Sequence, residues 1–436
     1  MATQFLVGAA EVDITPAVGT PMGGNLVPRP SIGVDDPLTL QAIALEHAGV
    51  KLVYVLADAL FIDRAVGDNL VASAAQRTGI PAGNIVWAAS HTHTGLHTRD
   101  FPGAQNEAWI ASLPEKFARV VEAADAARRP ARLCFTRGYC NTLIHNRRLK
   151  YKDGRQINTW LLHRGEDDVQ CLGSAAPIDP EVGILSFDDE HGVPIAILWH
   201  YTVHTNANFG PRFSADYPGV VATRLRDRFG PATVPIFVPG AFGDINAEVP
   251  STTRDHQAYR LLGEQLAGVI VERLDQRKPR PVEPTLGVLK QEATVSGRDF
   301  TVDQEARIQA SQWPADVMDY FRKELELVRQ AGVTEARTLV QAWRIGDIAF
   351  ASVPGELFVE WGLKIKAESP FPWTFPVMLG GDCLGYFVTP EAWRTGGYES
   401  LINRYSVVSV EGVEKLMAVA QGALQQLWER SPSRKS

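Results

Sequence analysis

Short runs of β-branched and other apolar residues recur along the chain, and small or polar residues bound each run. Apolar runs of this length are typical of strands buried on both faces of a sheet. Each of the six clearest runs is therefore predicted to be a strand. They lie at 52–56, 85–89, 195–203, 234–238, 349–353 and 375–379.

Helical periodicity lies between and after these runs. From 256 to 274, apolar residues recur at spacings of three and four, and this stripe predicts an amphipathic helix that covers a sheet. The segment 416–427 predicts a final helix. Strands interleaved with such helices predict a mixed α/β (α+β) fold, in which helices flank a large central sheet.

Two segments are predicted to be insertions into that core. The segment 141–179 is basic near its start and then rich in turn formers, which indicates an excursion beside the sheet. The segment 302–332 is a long polar helical stretch that Pro314, near its middle, is expected to kink or split. Because no repeat or low-complexity linker is visible, residues 1–436 are predicted to form a single domain. The sequence leaves open whether 302–332 is a lid, a subunit contact or spare surface.

Composition narrows the class of protein. Of the 436 residues, 45% are apolar and 21% are charged, as in globular proteins that fold by burial alone. The 43 Lys and Arg residues against 50 Asp and Glu residues give a net charge of −7, which disfavours a nucleic-acid partner. The four cysteines form no C-x-x-C pair, so neither a cysteine zinc site nor a disulfide framework is indicated.

The chain carries no targeting pattern that can be read from sequence. The N-terminal segment has no basic region, and Glu11 and Asp13 interrupt its apolar residues, so a secretion signal is not expected. No apolar run approaches the ~20 residues that a membrane-spanning helix needs. These features predict a cytoplasmic protein with no stable membrane association, and they leave the oligomeric state unassigned.

Residues able to carry chemistry follow directly after the predicted strands. SHTHTG comes after the run at 85–89, and alternate residues of an extended segment face one way, so His91 and His93 are predicted to share one site. Strand ends are also where open α/β sheets bind ligands. Imidazole is the commonest metal ligand, yet an H-x-H pair alone is equally consistent with an ordinary polar loop.

A second pair of histidines, His200 and His204, lies at the end of the run at 195–203. His204 lies at the strand exit and is the better candidate for a ligand. His200 is predicted to be a neutral, hydrogen-bonded histidine of the core.

Polar groups follow three further strands. The turn GAFGDIN places Asp244 and Asn246 where they could orient a water or substrate, although a plain strand-to-helix connection has the same composition. Glu356 begins a predicted helix, so it is either stabilised by the helix dipole or an oxygen ligand. The ordinary role of Tyr386 is a partly buried ring with a satisfied hydroxyl.

Each motif is ambiguous alone, but all of them come after predicted strands, which would collect them at one edge of the sheet. Two or three imidazoles and a carboxylate match the ligands of a catalytic zinc site that keeps one position for water. The pattern therefore predicts a metal site on loops at strand ends.

In their order along the chain, the motifs resemble the catalytic domain of the neutral, or alkaline non-lysosomal, ceramidase family, a group of zinc-dependent amidases. The resemblance spans nearly the whole chain, although each motif is short. It implies a single zinc-hydrolase catalytic domain with one Zn²⁺ per chain. The matching segments are GAAEVDITP, SHTHTG, IHNRR, VHT, GAFGDIN, VPGE, GYFVTPEAW and GGYES.

Carried over position by position, the resemblance implies that four residues are zinc ligands. These are His91, His204, Glu356 and Tyr386. Tyrosine is an unusual ligand, because its oxygen needs the charge of the metal to lose a proton whose free pKa is near ~10.

The resemblance also implies roles for residues around the metal. His93 is expected to contact the reacting carbonyl, and Arg147 to lie near a polar group of the substrate. Asp244 is expected to orient a ligating histidine or the water. The neighbouring Arg148 and Lys150 are expected to belong to a solvated turn.

The departures from the family bear on the substrate. Ceramidases carry a serine that is required for activity where this chain has Asn246, so cleavage of ceramide itself is doubtful. Because 416–427 is predicted to be a final helix, we also expect the chain to lack the C-terminal β-sandwich domain of those enzymes. We therefore predict a zinc-dependent hydrolase that cleaves an amide or ester bond of a small polar substrate with a metal-activated water. Two alternatives stay open: a metal-dependent carbohydrate-processing enzyme (glycoside hydrolase, lyase or isomerase) on the same site, and a non-catalytic metal-binding protein.

Overall fold

The structure is a computed structural model. It describes residues 4–24, 29–99, 106–159, 170–247, 258–279, 284–300, 302–311, 313–332 and 334–430. Parts of three predicted segments lie outside these ranges: residues 256–257 of the helix at 256–274, residues 160–169 of the first insertion, and residue 312 of the second.

The strands of the described residues are short to medium in length. They are β1 (Leu6–Asp13), β2 (Pro21–Met22), β3 (Arg29–Pro30), β4 (Thr39–His47), β5 (Val50–Ala57), β6 (Ile85–Ala89), β7 (Arg129–Pro130), β8 (Arg132–Tyr139), β9 (Ile144–Asn146), β10 (Arg148–Tyr151), β11 (Gln156–Asn158), β12 (Cys171–Ser174), β13 (Glu181–Asp188), β14 (Pro194–Tyr201), β15 (Val234–Pro239), β16 (Ile245–Ala247), β17 (Leu286–Ser296), β18 (Glu335–Ile345), β19 (Ile348–Val353), β20 (Glu356–Leu357), β21 (Trp373–Met378) and β22 (Tyr386–Phe387).

The helices alternate with groups of strands. They are α1 (Arg64–Thr78), α2 (Glu107–Ala126), α3 (Tyr217–Phe229), α4 (Ala258–Asp275), α5 (Gln304–Ala310), α6 (Ala315–Ala331), α7 (Val359–Glu368), α8 (Pro390–Thr395) and α9 (Val410–Glu429), and short 3₁₀ turns form at Ala82–Asn84 and Tyr398–Ser400. All six predicted strands are present as β5, β6, β14, β15, β19 and β21. The two predicted helices correspond to α4 and α9.

The mixed α/β class is confirmed, but the expected single large sheet is wrong. Among the described residues the long strands fall into three sheets, in the orders β6-β5-β4-β1-β7, β15-β14-β13-β8 and β17-β18-β19-β21. Periodicity identifies a buried strand from its own residues but does not encode its neighbour, so the division into three sheets was not visible in sequence.

The three sheets repeat one arrangement. In each, three antiparallel strands are followed by a helix and by a fourth strand parallel to the third, as in the pairs β5/β6, β14/β15 and β19/β21. A further helix then covers the sheet: α2 the first, α4 the second and α9 the third. The sequence shows no repeat, because each copy keeps the pattern of apolar positions with different residues.

The sheets bury their inner faces against one another. Along β5, Leu52, Tyr54 and Leu56 join a core shared with the other two sheets, while Val53 and Val55 pack under α1 and α2. This alternation follows from the two-residue period of a strand. With both faces buried, the strand ends are held in place, and the loops that follow them start from fixed positions.

The two predicted insertions have different structures. Within 141–179, β10, β11 and β12 form a small separate sheet, and β9 pairs with β16. Within 302–332, the helical stretch is split, with α5 ending at Ala310 and α6 beginning after Pro314, as expected from the missing N–H of proline. The side chains of α5 and α6 form a small apolar cluster with Leu401 and Ile402, apart from the main core.

Candidate metal centre

Three histidines meet where the strand-end loops converge. His91 and His93 follow β6, and His204 lies three residues beyond β14. His91 and His204 are buried, whereas His93 is partly exposed. His91 has a backbone φ of 66°, a left-handed conformation that is uncommon for a residue with a side chain and is often found at functional sites.

The backbone fixes the tautomer of each imidazole. The Nδ1 atoms of His91, His93 and His204 lie 2.8, 2.8 and 3.0 Å from the carbonyl oxygens of Leu60, Gly24 and Phe242, respectively. A carbonyl only accepts, so each Nδ1 carries the proton and donates it. Each Nε2 is left with a lone pair.

These lone pairs point toward one another. The Nε2 atoms of His91 and His93 lie 3.0 and 3.1 Å from Nε2 of His204. Burial lowers the pKa of His93 to about 3 and that of His204 well below its ordinary value. Neither imidazole therefore carries a second proton that could form a hydrogen bond between the two Nε2 atoms. Two nitrogens bound to one tetrahedral zinc at ~2.0–2.1 Å would be about 3.3 Å apart, close to what is found here. The three imidazoles could therefore hold a metal ion.

Glu356 supplies a carboxylate to the same point. Its Oε2 lies 3.3 Å from Nε2 of His91 and 3.6 Å from Nε2 of His204, and it has no hydrogen-bond partner among the described residues. Its Oε1 accepts a 2.7 Å hydrogen bond from the Tyr405 hydroxyl. A carboxylate that is only 1% exposed is costly to bury with one oxygen unpartnered. A divalent cation among these atoms would remove that cost, so the residues present fit a metal.

His204 and Glu356 occupy equivalent positions in two of the three similar sheets. His204 and Glu356 each lie three residues beyond the third strand of their sheet, β14 and β19. The equivalent residue beyond β5 is Leu60, whose carbonyl accepts the hydrogen bond from His91.

The loops that carry Gly243 and Glu356 pack closely against each other. A Cβ on Gly243 would lie 2.5 Å from the Glu356 carbonyl oxygen, so glycine is needed there.

Tyr386, the remaining predicted ligand, is placed beside Glu356 by the parallel pairing of β20 with β22. Burial, followed by the charge of Glu356, raises the pKa of its hydroxyl well above the ordinary value of 10.0. The Arg147 guanidinium lies 5.3 Å from the ring centre. Tyr386 thus lies on the wall of the same pocket as His91, His93 and Glu356.

Arg147 is buried behind the histidines in a network of charges. Its Nε donates to Glu399 at 2.8 Å, and its Nη1 lies 3.3 Å from Oδ1 of Asn246. Arg148 donates to the other oxygen of Glu399 at 2.6 Å. Burial alone would raise the pKa of Glu399, but the two guanidinium charges outweigh it and hold that pKa below its ordinary value.

The expectation of a solvated turn is wrong for Arg148, which is 2% exposed. The sequence shows the basic run but not its partner Glu399, which lies 251 residues away. Lys150 is half-exposed and lies 3.3 Å from Glu391, in agreement with the expectation. His200 is a core histidine as predicted, bonded through Nε2 to the Pro376 carbonyl at 2.9 Å, and burial lowers its pKa to about 4.

Asp244 is buried beneath the metal centre. Its Oδ1 accepts from the Val359 backbone N–H at 2.8 Å, and its Oδ2 accepts from the Asn146 amide at 2.7 Å. It therefore ties the start of α7, just after Glu356, to the strand that leads into Arg147. The expected hydrogen bond to a ligating histidine is not among its contacts within the described residues. Burial raises its pKa to about 6.

A pocket with about 690 Å³ of free space, part of it open solvent, lies against His91, His93 and Glu356. Several of its lining residues were not identified from sequence, among them Phe61, His97, Asn403 and Tyr405. His97 lies in the same loop as His91 and could have been suspected from that proximity. Tyr405 belongs to no recognisable motif, and its bond to Glu356 is visible only in the folded chain.

No helix in the described part of the chain combines the length and apolarity that crossing a bilayer requires.

Fold and site together define an α/β protein whose strand-end loops gather three imidazoles and one carboxylate around a common point. No protein-family model matches the sequence, and no curated protein matches it. Solved structures do match. Neutral ceramidase from Pseudomonas aeruginosa is similar with a TM-score of 0.74 and 19% identity, over 99% of this chain and 76% of that one. A ceramidase complexed with C2 is similar with a TM-score of 0.74 and 18% identity, over the same shares.

At this level of identity the likeness establishes the fold. Over 99% of its length, this chain has the fold of neutral ceramidase. The resemblance expected from the short motifs is therefore confirmed at the level of a ceramidase-like fold.

Proposed function

We propose that this protein is a zinc-dependent hydrolase that cleaves an amide or ester bond of a small polar substrate. The observation that carries the proposal is the convergence of three Nε2 lone pairs and an unpartnered carboxylate oxygen at one buried point. The two structural neighbours are named as ceramidases, which are amidases. Their activity supports an amide as the bond that is cleaved.

His91, His204 and Glu356 would hold the ion, with Tyr386 as the fourth ligand. A zinc ion there would polarise the substrate carbonyl and lower the pKa of a coordinated water from ~15.7 toward ~7. The backbone bonds of the two imidazoles and the Tyr405 bond of the carboxylate keep these side chains oriented before substrate arrives.

His93 is assigned to proton transfer. It is the partly exposed imidazole of the cluster, and its Nδ1 proton is committed to the Gly24 carbonyl. Its Nε2 can therefore accept the proton that water loses on attacking the carbonyl carbon. The same atom returns that proton to the departing amine or alcohol, and the products are a free acid and a neutral leaving group.

Arg147 and Asp244 would act through other residues. Arg147 places a fixed positive charge next to Tyr386 and His204, which favours the ionised tyrosine oxygen that a metal requires. Asp244 holds the Glu356 loop against the strand that leads into Arg147. Asn246 accepts from Arg147 where the ceramidase family has its serine, so ceramide is not the proposed substrate.

Metal analysis combined with an acyl-hydrolysis assay tests the proposal. Purified protein is expected to contain about one zinc per chain and to release acid and amine from short N-acyl compounds. His204→Ala should lose both the zinc and the activity, while His191→Ala, which changes an exposed histidine, should lose neither. A protein that binds no divalent metal, or one that binds zinc with all coordination positions closed and releases no acid, would contradict the proposal.

A further inference from the structure

The pocket in front of the metal centre is walled by aromatic rings. Besides the candidate metal-centre residues and two glycines, its lining consists of Leu60, His97, aromatic rings of which three are tyrosines, and one side-chain amide. The lining residues used below are Phe61, Tyr320, Phe321, Tyr398, Asn403 and Tyr405.

These rings form a connected wall around Tyr386. Tyr386 lies 6.1 Å from Tyr405 and 5.6 Å from Tyr398 between ring centres, and Tyr405 lies 5.2 Å from Phe61. On the other side, Tyr398 lies 6.0 Å from Phe321. All these distances fall in the range of edge-to-face and tilted aromatic contacts, so each ring restricts the orientation of the next.

The helix α6 forms part of the pocket wall. Tyr320 and Phe321 of this helix line the pocket, and Glu324, one turn further along, is buried. Glu324 accepts from the Arg404 guanidinium at 2.8 Å and from the Arg404 backbone N–H at 3.2 Å. We call α5 and α6 the roof, and the loops that carry His91, His93, His204 and Glu356 the floor. The segment 302–332, which the sequence left unassigned, thus provides the roof.

The free space between these rings is limited. It amounts to about 690 Å³, part of which is open solvent, so one ring fits beside the reacting carbonyl. A long acyl chain in extended form would have to leave through the mouth and expose its methylenes to water. Asn403 contributes the one side-chain amide of the lining, and its Oδ1 already accepts hydrogen bonds from the backbone N–H groups of Tyr405 and Ser406.

From this enclosure we propose that the substrate carries a compact aromatic group directly flanking the bond that is cleaved. The proposal rests on the hydrolase function and names its substrate class. A flat ring can stack on or meet the edges of Phe61, Tyr398, Tyr405 and Phe321, whereas a flexible alkyl chain loses conformational freedom without gaining ring contacts. Phe321 of the roof is the residue that sets this preference.

A panel of amides separates the possibilities. N-benzoylethanolamine carries the ring on the acyl side and N-acetylbenzylamine on the amine side, while N-hexanoyl- and N-palmitoylethanolamine carry alkyl chains. At least one aromatic amide is expected to exceed both alkyl amides by about tenfold or more in kcat/KM. Equal or better cleavage of either alkyl amide would overturn the inference while leaving the hydrolase function in place.

Binding to the zinc-loaded protein tests the same inference without turnover. Benzohydroxamate and octanohydroxamate share the metal-binding group, and the first is expected to bind about tenfold more tightly or better. Phe321→Ala should remove most of that difference, and Leu327→Ala, an exposed residue of the same helix, should keep it. Tyr320→Ala, which removes a half-buried ring of the roof, replaces Phe321→Ala if that variant does not fold.

Amide cleavage and hydroxamate binding together distinguish a failure of the hydrolase function from a failure of the aromatic pocket. If no amide is cleaved but the hydroxamate preference is present and depends on Phe321, the hydrolase function fails and the aromatic pocket stands. If octanohydroxamate binds as tightly as benzohydroxamate, the aromatic pocket fails whatever the activity.

Discussion

The floor and the roof of the pocket are built in different ways. In the floor, His91, His204 and Glu356 each follow a buried strand, and each has its second polar side-chain atom bonded to a backbone carbonyl or to Tyr405. The roof rests on a small separate apolar cluster and on the ion pair between Glu324 and Arg404. Under the proposed function, metal geometry would therefore depend on the main core, whereas the choice of substrate would depend on a segment that packs in its own small cluster.

The largest effect is expected from Glu356→Gln, which keeps the shape of a floor residue and removes its charge. Zinc affinity and turnover should fall by more than about 100-fold, beyond the 10–100-fold typical of residues that only support ligands. In metal-free protein, the variant should instead be about 1–3 kcal/mol more stable than the wild type, because the unpartnered buried oxygen is replaced by an amide that can donate to an Nε2 lone pair. Urea unfolding with and without a chelator measures this reversal. Equal destabilisation under both conditions would show that Glu356 is a structural residue.

Tyr405→Phe is expected to weaken zinc binding indirectly, through the orientation of Glu356. The hydroxyl that orients Oε1 of Glu356 is lost, while the ring that lines the pocket remains. Zinc affinity, measured by competition with a chelator, should fall by about 10–100-fold. Tyr320→Phe, which changes another tyrosine of the pocket lining, is the matched control for a general effect of removing a tyrosine hydroxyl. An unchanged zinc affinity in Tyr405→Phe would mean that Glu356 does not need this bond.

Glu324→Gln addresses the roof. Loss of the ion pair with Arg404 should loosen α6 and raise KM by about threefold to tenfold with little change in kcat, because only uniform binding is weakened. Hydrogen exchange of 315–331 should become faster, and zinc content should stay unchanged. Glu326→Gln, at an exposed position of the same helix, is the control. A fall in zinc affinity would show that roof and floor are coupled after all.

The smallest effect on metal binding and turnover is expected from Asp58→Asn, in the loop after β5 that supports the floor without supplying a ligand, where the change falls on stability instead. Burial raises the pKa of Asp58 from 3.8 to about 7, against the opposing hydrogen bonds from Thr39. The folded state therefore holds this proton more tightly than the unfolded state. The stability that it contributes is complete below the unfolded pKa and is lost as the pH rises toward 7.

The comparison of Asp58→Asn with the wild type isolates this contribution. Between pH 5 and 7, the wild type should lose stability relative to the variant by up to about 1.4 kcal/mol per pH unit. Denaturant unfolding at several pH values measures the slope. A difference that does not change with pH would mean that the Asp58 carboxyl stays ionised in the folded protein.

The site was partly predictable because its residues follow strands. The apolar runs identified the strands, and a strand end fixes where the next few side chains start, so His91, His204 and Glu356 could be chosen as candidates without knowing the sheet order. Residues that act through distant contacts were not predictable. Arg148 was expected to be solvated because its partner Glu399 lies far along the chain, and Tyr405 was missed for the same reason.

By itself, the sequence determined which segments are strands and helices, that Pro314 divides the helical stretch, and which loops hold histidines and acids, since all of these depend on neighbours within a few residues. Only the tertiary structure decided that the strands form three sheets of one design, that the imidazoles meet with their lone pairs facing one another, and that α6 lines the same pocket. These features depend on contacts between residues far apart in the chain, and local apolar patterns carry no record of which surface each element will pack against.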